Sequence, residues 1–284
     1  VTHLRRQITR ALAREVVELT GLSGGDVADA FCARLADGSR VFAKTRRRSP
    51  PGFFFTEAAG LAWLREADAI PVPEVLAVSD DPPLLVLEWI EEGRSRPDTE
   101  AELGRSLAAL HAAGAPSFGR EDRRSTGSRG LPNEPCESWA GFYASQRLLP
   151  LARLARDARS LPGTAIRELE AVAGRLQSLG GPPEPPARLH GDLWGGNRLV
   201  AADGTSWLID PAAHGGHREF DLAMMRLFGG FGDACFAAYA EAAPLAPGWR
   251  ERVPLHQLAP LVVHAIKFGG GYVNATQRAL AALR

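Results

Sequence analysis

The chain has 284 residues, 45% hydrophobic and 23% charged, enough apolar material to core one large domain or two modest lobes. Lys and Arg total 33 against 33 Asp and Glu, so no whole-chain basic field exists to hold nucleic acid. No apolar run approaches the roughly 18 residues a membrane span needs, and three scattered cysteines suit neither a disulfide framework nor a zinc site.

Leu4, Ile8, Leu12, Val16 and Leu19 fall near a 3.6 spacing and predict a helix over Leu4–Leu19. The charged stretch Val1–Arg14 lacks the apolar segment of a signal peptide, so a cytoplasmic setting is expected. A glycine-rich turn at Ser23-Gly24-Gly25-Asp26 leads to strands at Val27–Leu35 and Arg40–Thr45, joined by the turn Ala36-Asp37-Gly38-Ser39. Arg46, Arg47 and Arg48 read as a solvated loop. A helix over Phe55–Ala67 is stopped by Pro71-Val72-Pro73, and strands follow at Val75–Val78 and Leu84–Trp89.

After Glu91-Glu92-Gly93 the texture turns helical, with Leu103, Leu107 and Leu110 on one face of Thr99–Ala113. Residues 115–134 form a polar loop longer than most connections, which marks it as functional or mobile. Helices are expected at Glu137–Leu148 and Thr164–Leu179, with a Gly/Pro linker at Gly180–Pro186. Short strands are expected at Arg188–Asp192 and within Asn197–Asp210, and mostly helix from Glu219 to Arg284. The expected fold is α+β and bilobal. A small β-rich lobe (1–92, with a hinge near 88–92) precedes a larger α-helical lobe (93–284).

The chemistry concentrates in His190-Gly191-Asp192-Leu193-Trp194-Gly195-Gly196-Asn197 and in Leu208-Ile209-Asp210. Phosphoryl transfer from ATP needs placed metal ions, charge neutralisation and an oriented hydroxyl more than covalent help. An Asp followed five residues later by an Asn, and then by a second Asp at a strand end, supplies that pattern. Asp192 orients the hydroxyl, while Asn197 and Asp210 offer the hard oxygens that suit Mg2+. Upstream, Lys44 ends a strand and Glu57 lies in the next helix, the pairing that holds a lysine on ATP phosphates. Ser23, Gly24 and Gly25 are placed to cover those phosphates. Glu88 and Ile90 stand where a hinge would offer backbone groups to adenine.

These residues, with Pro211, His217, Glu219, Asp221-Leu222-Ala223-Met224 and Leu227–Phe231, resemble the fructosamine kinase (ketosamine-3-kinase) family. Within the protein-kinase-like fold that family stands beside aminoglycoside phosphotransferases and choline kinases. The resemblance extends over nearly the whole chain and includes Trp139, Phe142, Tyr143, Arg147 and Leu148. It implies ATP-dependent phosphorylation of the 3-hydroxyl of a fructosamine or ribulosamine, free or protein-bound, followed by loss of the sugar. Asp192 is implied as the base, Asn197 and Asp210 as Mg2+ ligands, and Lys44, set by Glu57, as the phosphate contact. A monomer or homodimer is expected, without nucleic-acid or membrane partners.

Trp194 is read as a wall of the acceptor pocket, and His217 and Glu219 as partners of sugar hydroxyls. Asn133 is a weaker acceptor-side candidate. Asp221 is read as holding the 190–197 loop, and His111 and His264 as packing residues. The short Pro211–Arg218 segment leaves no room for the activation segment of a protein kinase, which favours a small acceptor. An aminoglycoside or choline kinase, and a nucleotide-binding module without catalysis, are the alternatives.

Overall fold

Leu4 and Ile8 lie buried one turn apart on α1 (Thr2–Leu12), the first element of the computed structural model, which describes residues 2–22, 28–47, 49–122, 125–126 and 130–284. The expected helix to Leu19 is cut short, because Ala13 turns to φ 53° and the chain runs on as strand β1 (Val16–Leu22). Val16, Val17 and Thr20 are β-branched and favour the pleated form. The apolar spacing that suggested helix also serves a strand whose Val16 pairs with Leu35.

Strands β2 (Asp29–Leu35) and β3 (Arg40–Thr45) follow, then helix α2 (Phe53–Arg65) and strands β4 (Val75–Asp80) and β5 (Pro83–Glu88). All neighbouring strands are antiparallel, in the order β1-β2-β3-β5-β4. Side chains of β5 alternate between two cores. Leu84 and Val86 pack with Leu4 and Ile8 of α1, whereas Leu85 and Leu87 pack with Phe54, Leu61 and Leu64 of α2. Helix α2 begins two residues earlier than its apolar pattern suggests, after Gly52 at φ 77°.

The connector after β5 is clipped to the second lobe. The Gly93 N–H donates to Val200 O and the Ala202 N–H to Glu91 O, both at 2.8 Å. Thr99, the first residue of α3 (Thr99–Ala112), is buried and donates from Oγ1 to Gly204 O at 2.7 Å. Short strands β6 (Ser125–Thr126) and β7 (Leu131–Pro132) pair inside the long loop. The helix expected to Leu148 is three pieces: α4 (Trp139–Phe142), a π-helical turn Tyr143–Leu148, and α5 (Leu149–Asp157). Tyr143, on the π turn, is buried and donates to Leu255 O at 3.0 Å. Next come α6 (Gly163–Ala173) and α7 (Leu176–Leu179), where one helix was expected.

Strand β8 (Ala187–Leu189) opens the site region, and β9 (Arg198–Val200) and β10 (Ser206–Leu208) form a hairpin. Strand β11 (His214–Gly216) pairs with β8 and was not anticipated, since His-Gly-Gly carries no strand signal. The lobe closes with α8 (Glu219–Phe228), α9 (Asp233–Ala242), α10 (Trp249–Phe268) and α11 (Gly271–Ala281). Helices α3 and α9 approach closely at Gly104, where a Cβ would lie 2.1 Å from Cys235 O. No helix among the described residues is long and apolar enough to cross a membrane.

Candidate active site

The loop between β8 and β9 is built on two buried anchors. The His190 and Gly191 N–H groups donate to the two carboxylate oxygens of Asp221 at 2.8 and 2.9 Å. The His190 ring bonds Ile209 O through Nε2 at 2.9 Å and accepts the Asp192 N–H at Nδ1 at 3.3 Å. One neutral tautomer, protonated at Nε2, satisfies both contacts. Gly191 sits at φ 80°, and a Cβ there would be 2.2 Å from Ala212 O, so the loop needs glycine.

Asn197 ends a single 3-10 turn at the far side of this loop. Its Nδ2 donates to Asp192 O at 2.8 Å and to Asp192 Oδ2 at 3.1 Å, with a longer contact to Asp210 O at 3.4 Å. The amide nitrogen is therefore committed, which fixes the ring of contacts and leaves Oδ1 as a hard oxygen ligand. Asp210 adopts φ 54°, a left-handed conformation that an Asp tolerates. Burial raises the Asp192 pKa to about 7. The carboxylates of Asp210 and Asp221 add to that rise, and the Asn197 donation opposes it.

From the other lobe, Lys44 reaches into the same place. Its Nζ pairs with Glu57 Oε1 at 2.8 Å and with Asp210 Oδ1. Lys44 is buried, which works against its charge, but the two carboxylates outweigh burial and its pKa is raised. Helix α2, which carries Glu57, packs onto the segment after Asp210 through Gly60, where a Cβ would lie 3.3 Å from the Pro211 ring. Lys44, Glu57, Asp192, Asn197 and Asp210 thus converge from a strand, a helix, one loop and the end of a hairpin. Hard oxygens on Asn197 and Asp210, beside a buried lysine, fit a divalent cation bound with a polyphosphate.

Trp194 is 41% exposed beside the loop and folds its ring over Gly196, where a Cβ would meet it at 2.2 Å. The Glu88 N–H is taken by Glu74 O at 2.9 Å and its carboxylate by the Glu74 N–H at 2.8 Å, while Ile90 is buried at the turn after β5. Ser23, Gly24 and Gly25 lie outside the described residues, as does Arg48 of the basic run. Arg46 lies over the Phe53 ring.

His217 and Glu219 do not face a cleft. Both are buried, and Arg252 holds Glu219 in a two-pronged pair, Nε to Oε2 at 2.9 Å and Nη2 to Oε1 at 2.5 Å. His217 accepts the Glu219 N–H at Nδ1, and His256 Nε2 lies 3.3 Å from Glu219 Oε2. Although His217, Glu219 and His256 cluster as metal ligands do, Arg252 already neutralises the carboxylate. The cluster fastens α8 to α10. Asn133 is likewise buried, accepting from Arg147 Nη2 at 2.9 Å. His111 is more than packing: its Nε2 meets Asp221 Oδ2 at 3.2 Å and its Nδ1 the Tyr239 hydroxyl at 2.8 Å.

Sequence reading missed a second brace. Glu100 Oε2 accepts the Gly232 N–H at 2.7 Å while Oε1 pairs with Arg198, the residue after Asn197. Beside it the Gly195 N–H donates to Gly229 O at 3.0 Å. The glycines of Leu227–Phe231 were a visible signal, but their contact with Gly195 was not.

A small antiparallel sheet lobe over a helical lobe, with a buried Lys–Glu pair facing an Asp/Asn/Asp set, defines a phosphotransferase of the protein-kinase-like fold. Within that class the chain belongs to the fructosamine kinase family, whose model matches residues 1–284. It is 37% identical over 273 residues to a "probable ketoamine kinase" of Synechocystis sp., covering 93% of this chain and 90% of that one. It is 31% identical over 275 residues to the "protein-ribulosamine 3-kinase, chloroplastic" of Arabidopsis thaliana, covering 93% of this chain and 82% of that one. The crystal structure of a "putative fructosamine-3-kinase" from Thermobifida fusca superposes with a TM-score of 0.91 at 41% identity, covering 100% of this chain and 99% of that one.

Proposed function

We propose that this chain transfers the γ-phosphoryl group of ATP to the 3-hydroxyl of a ketosamine, a sugar joined to an amine through an Amadori linkage. The convergence of Lys44 and Glu57 with Asp192, Asn197 and Asp210 carries the reading. The names of the relatives supply the acceptor class. Lys44 holds the phosphates, and Asn197 Oδ1 and Asp210 are the ligands for Mg2+, which when bound neutralises charge on the phosphates. Asp192 receives the hydroxyl proton as the new O–P bond forms and the bond from Pγ to the bridging oxygen of ADP breaks. A carboxyl whose pKa is lifted by burial is a better proton acceptor than an exposed one. Trp194 offers a ring face to the C–H face of the sugar. The phosphorylated sugar then eliminates phosphate, and one water hydrolyses the resulting imine, freeing the amine and leaving the sugar as a deoxy dicarbonyl. We place the activity in the cytoplasm, with free or protein-borne ketosamines as acceptors.

The test is ATP consumption with Mg2+ against a synthetic fructosamine, a ribulosamine, choline and an aminoglycoside. Ketosamine-dependent turnover that falls about 10²–10⁴-fold in Asp192→Asn is expected. Turnover with choline or the aminoglycoside alone would move the acceptor class and leave the chemistry in place. ATP binding without turnover of any acceptor would point to a nucleotide-binding module.

A further inference from the structure

Helix α10 ends at Phe268, and Gly269 and Gly270 take φ 65° and 54° before α11 begins. Two successive positive φ values turn the chain back sharply, which brings the Phe268 and Tyr272 rings to 5.9 Å. His264, one turn earlier on α10, lies 5.6 Å from Phe268 and 5.0 Å from Tyr272. It also lies 4.6 Å from Phe228, at the end of α8, and Phe228 meets the Trp194 ring edge-on at 6.5 Å. A continuous row of rings therefore runs from Trp194, two residues past Asp192, to the α10–α11 turn. Its two ends are the most open: Trp194 is 41% and Phe268 52% exposed. Lys267 stands at the outer end, its Nζ 4.6 Å from the Phe268 centroid.

Resting on the reading above, we infer that this row is an outer acceptor subsite, with Phe268 and Tyr272 taking the hydrocarbon chain of the amine that carries the sugar. With the sugar on Trp194 and its 3-hydroxyl at Asp192, the amine lies two bonds from the ring and its substituent must leave the loop. The row offers ring faces along one such path. It carries no carboxylate of its own, so it gains from methylenes rather than from a second cation. Alkyl chains laid on aromatic faces lose water from both surfaces, whereas a short carrier leaves Phe268 in solvent.

The test is a series of ketosamines made on methylamine, butylamine and hexylamine. KM is expected to fall about two- to fourfold per methylene over the first few carbons. In Phe268→Ser the ratio of KM between the shortest and longest carriers collapses toward one. A KM independent of chain length in the native protein, or a dependence that survives Phe268→Ser, overturns the subsite alone. Failure to phosphorylate even the methylamine compound overturns the functional reading and the subsite with it.

Discussion

The backbone N–H of His190 donates to Asp221 Oδ2 at 2.8 Å, across 31 residues of chain. Asp221 is fully buried, and the same oxygen faces His111 Nε2 at 3.2 Å, which in turn bonds Tyr239. Burial alone would raise the Asp221 pKa, but the His111 contact, neighbouring His190 and the Gly191 N–H outweigh it and the pKa is lowered. A charged carboxylate inside the second lobe thus sets the backbone that aims Asp192. It touches nothing in the cleft itself.

Replacing Asp221 should therefore damage folding and rate together. Asp221→Ala leaves two buried N–H groups and His111 without their acceptor, which should cost about 3–5 kcal/mol in urea unfolding. Asp221→Asn should lose less stability but still lower kcat, with KM for ATP nearly unchanged. Native stability and kcat in Asp221→Asn would show that the loop holds its shape without this charge.

Lys44 and Glu57 act as one unit. Lys44→Met leaves Glu57 buried without its cation, and Glu57→Gln frees Lys44 to stay on Asp210. Each single change should lower kcat/KM by about 10²–10³, since a preorganised charge at the phosphates is lost or misplaced. The double change should cost little more than Lys44→Met alone, as contacting residues do not act additively. Additive losses in steady-state assays would separate their roles.

How far the chain could be read in advance depended on the range of each contact. Asp192 and Asn197 sit five residues apart in one loop, and Lys44 and Glu57 in consecutive elements, so their patterns are local and visible. The β1 segment was misread because a bulge between Val16 and Glu18 puts Val16 and Leu19, three residues apart, on one face as a helix would, and Ala13 at φ 53° leaves no sequence mark. His217 and Glu219 look like exposed polar residues following Asp210. Their burial depends on Arg252 and His256 of α10, a packing that spacing cannot show. The Glu100–Arg198 pair, 98 residues apart, was equally invisible.

Gly195 and Gly230 make a second test of the 190–197 loop. A Cβ on Gly230 would lie 2.5 Å from Gly195 Cα, and Gly230 itself sits at φ 94°. Gly230→Ala should push Gly195, and with it Trp194 and Asn197, out of register. We expect kcat to fall at least about tenfold, a shift of roughly 1.4 kcal/mol or more in the barrier. ATP affinity without Mg2+, measured by calorimetry, should change little because Lys44 is untouched. Unchanged kcat would mean that the two strands of backbone separate without moving the loop.

Stability should fall as the solution is acidified, and the imidazoles set the window. Burial lowers the pKa of His214 to about 3, with Arg147 adding to the effect, and that of His217 to about 4, with His256 adding to it. Unfolded, both titrate near 6.5. Between about pH 6.5 and 4.5 the unfolded chain therefore binds protons that the folded chain refuses, and unfolding is favoured as pH drops. Each of the two contributes up to about 1.4 kcal/mol per pH unit in that window. Glu219 enters only lower. Burial would raise it, but His256 and Arg252 hold it at about 2, so its stabilising charge is lost below its unfolded pKa near 4.5. Asp192, raised to about 7, and Glu57, raised to about 7 mainly by burial, take up protons in the folded chain over the same window and oppose the fall, while buried His190 and His256 add to it. Urea midpoints at pH 7, 6 and 5 should still drop, and His217→Gln should flatten the slope. A flat midpoint from pH 7 to 5 would mean that His217 already carries a proton in the folded chain, with Glu219 or Glu184 as the counter-charge.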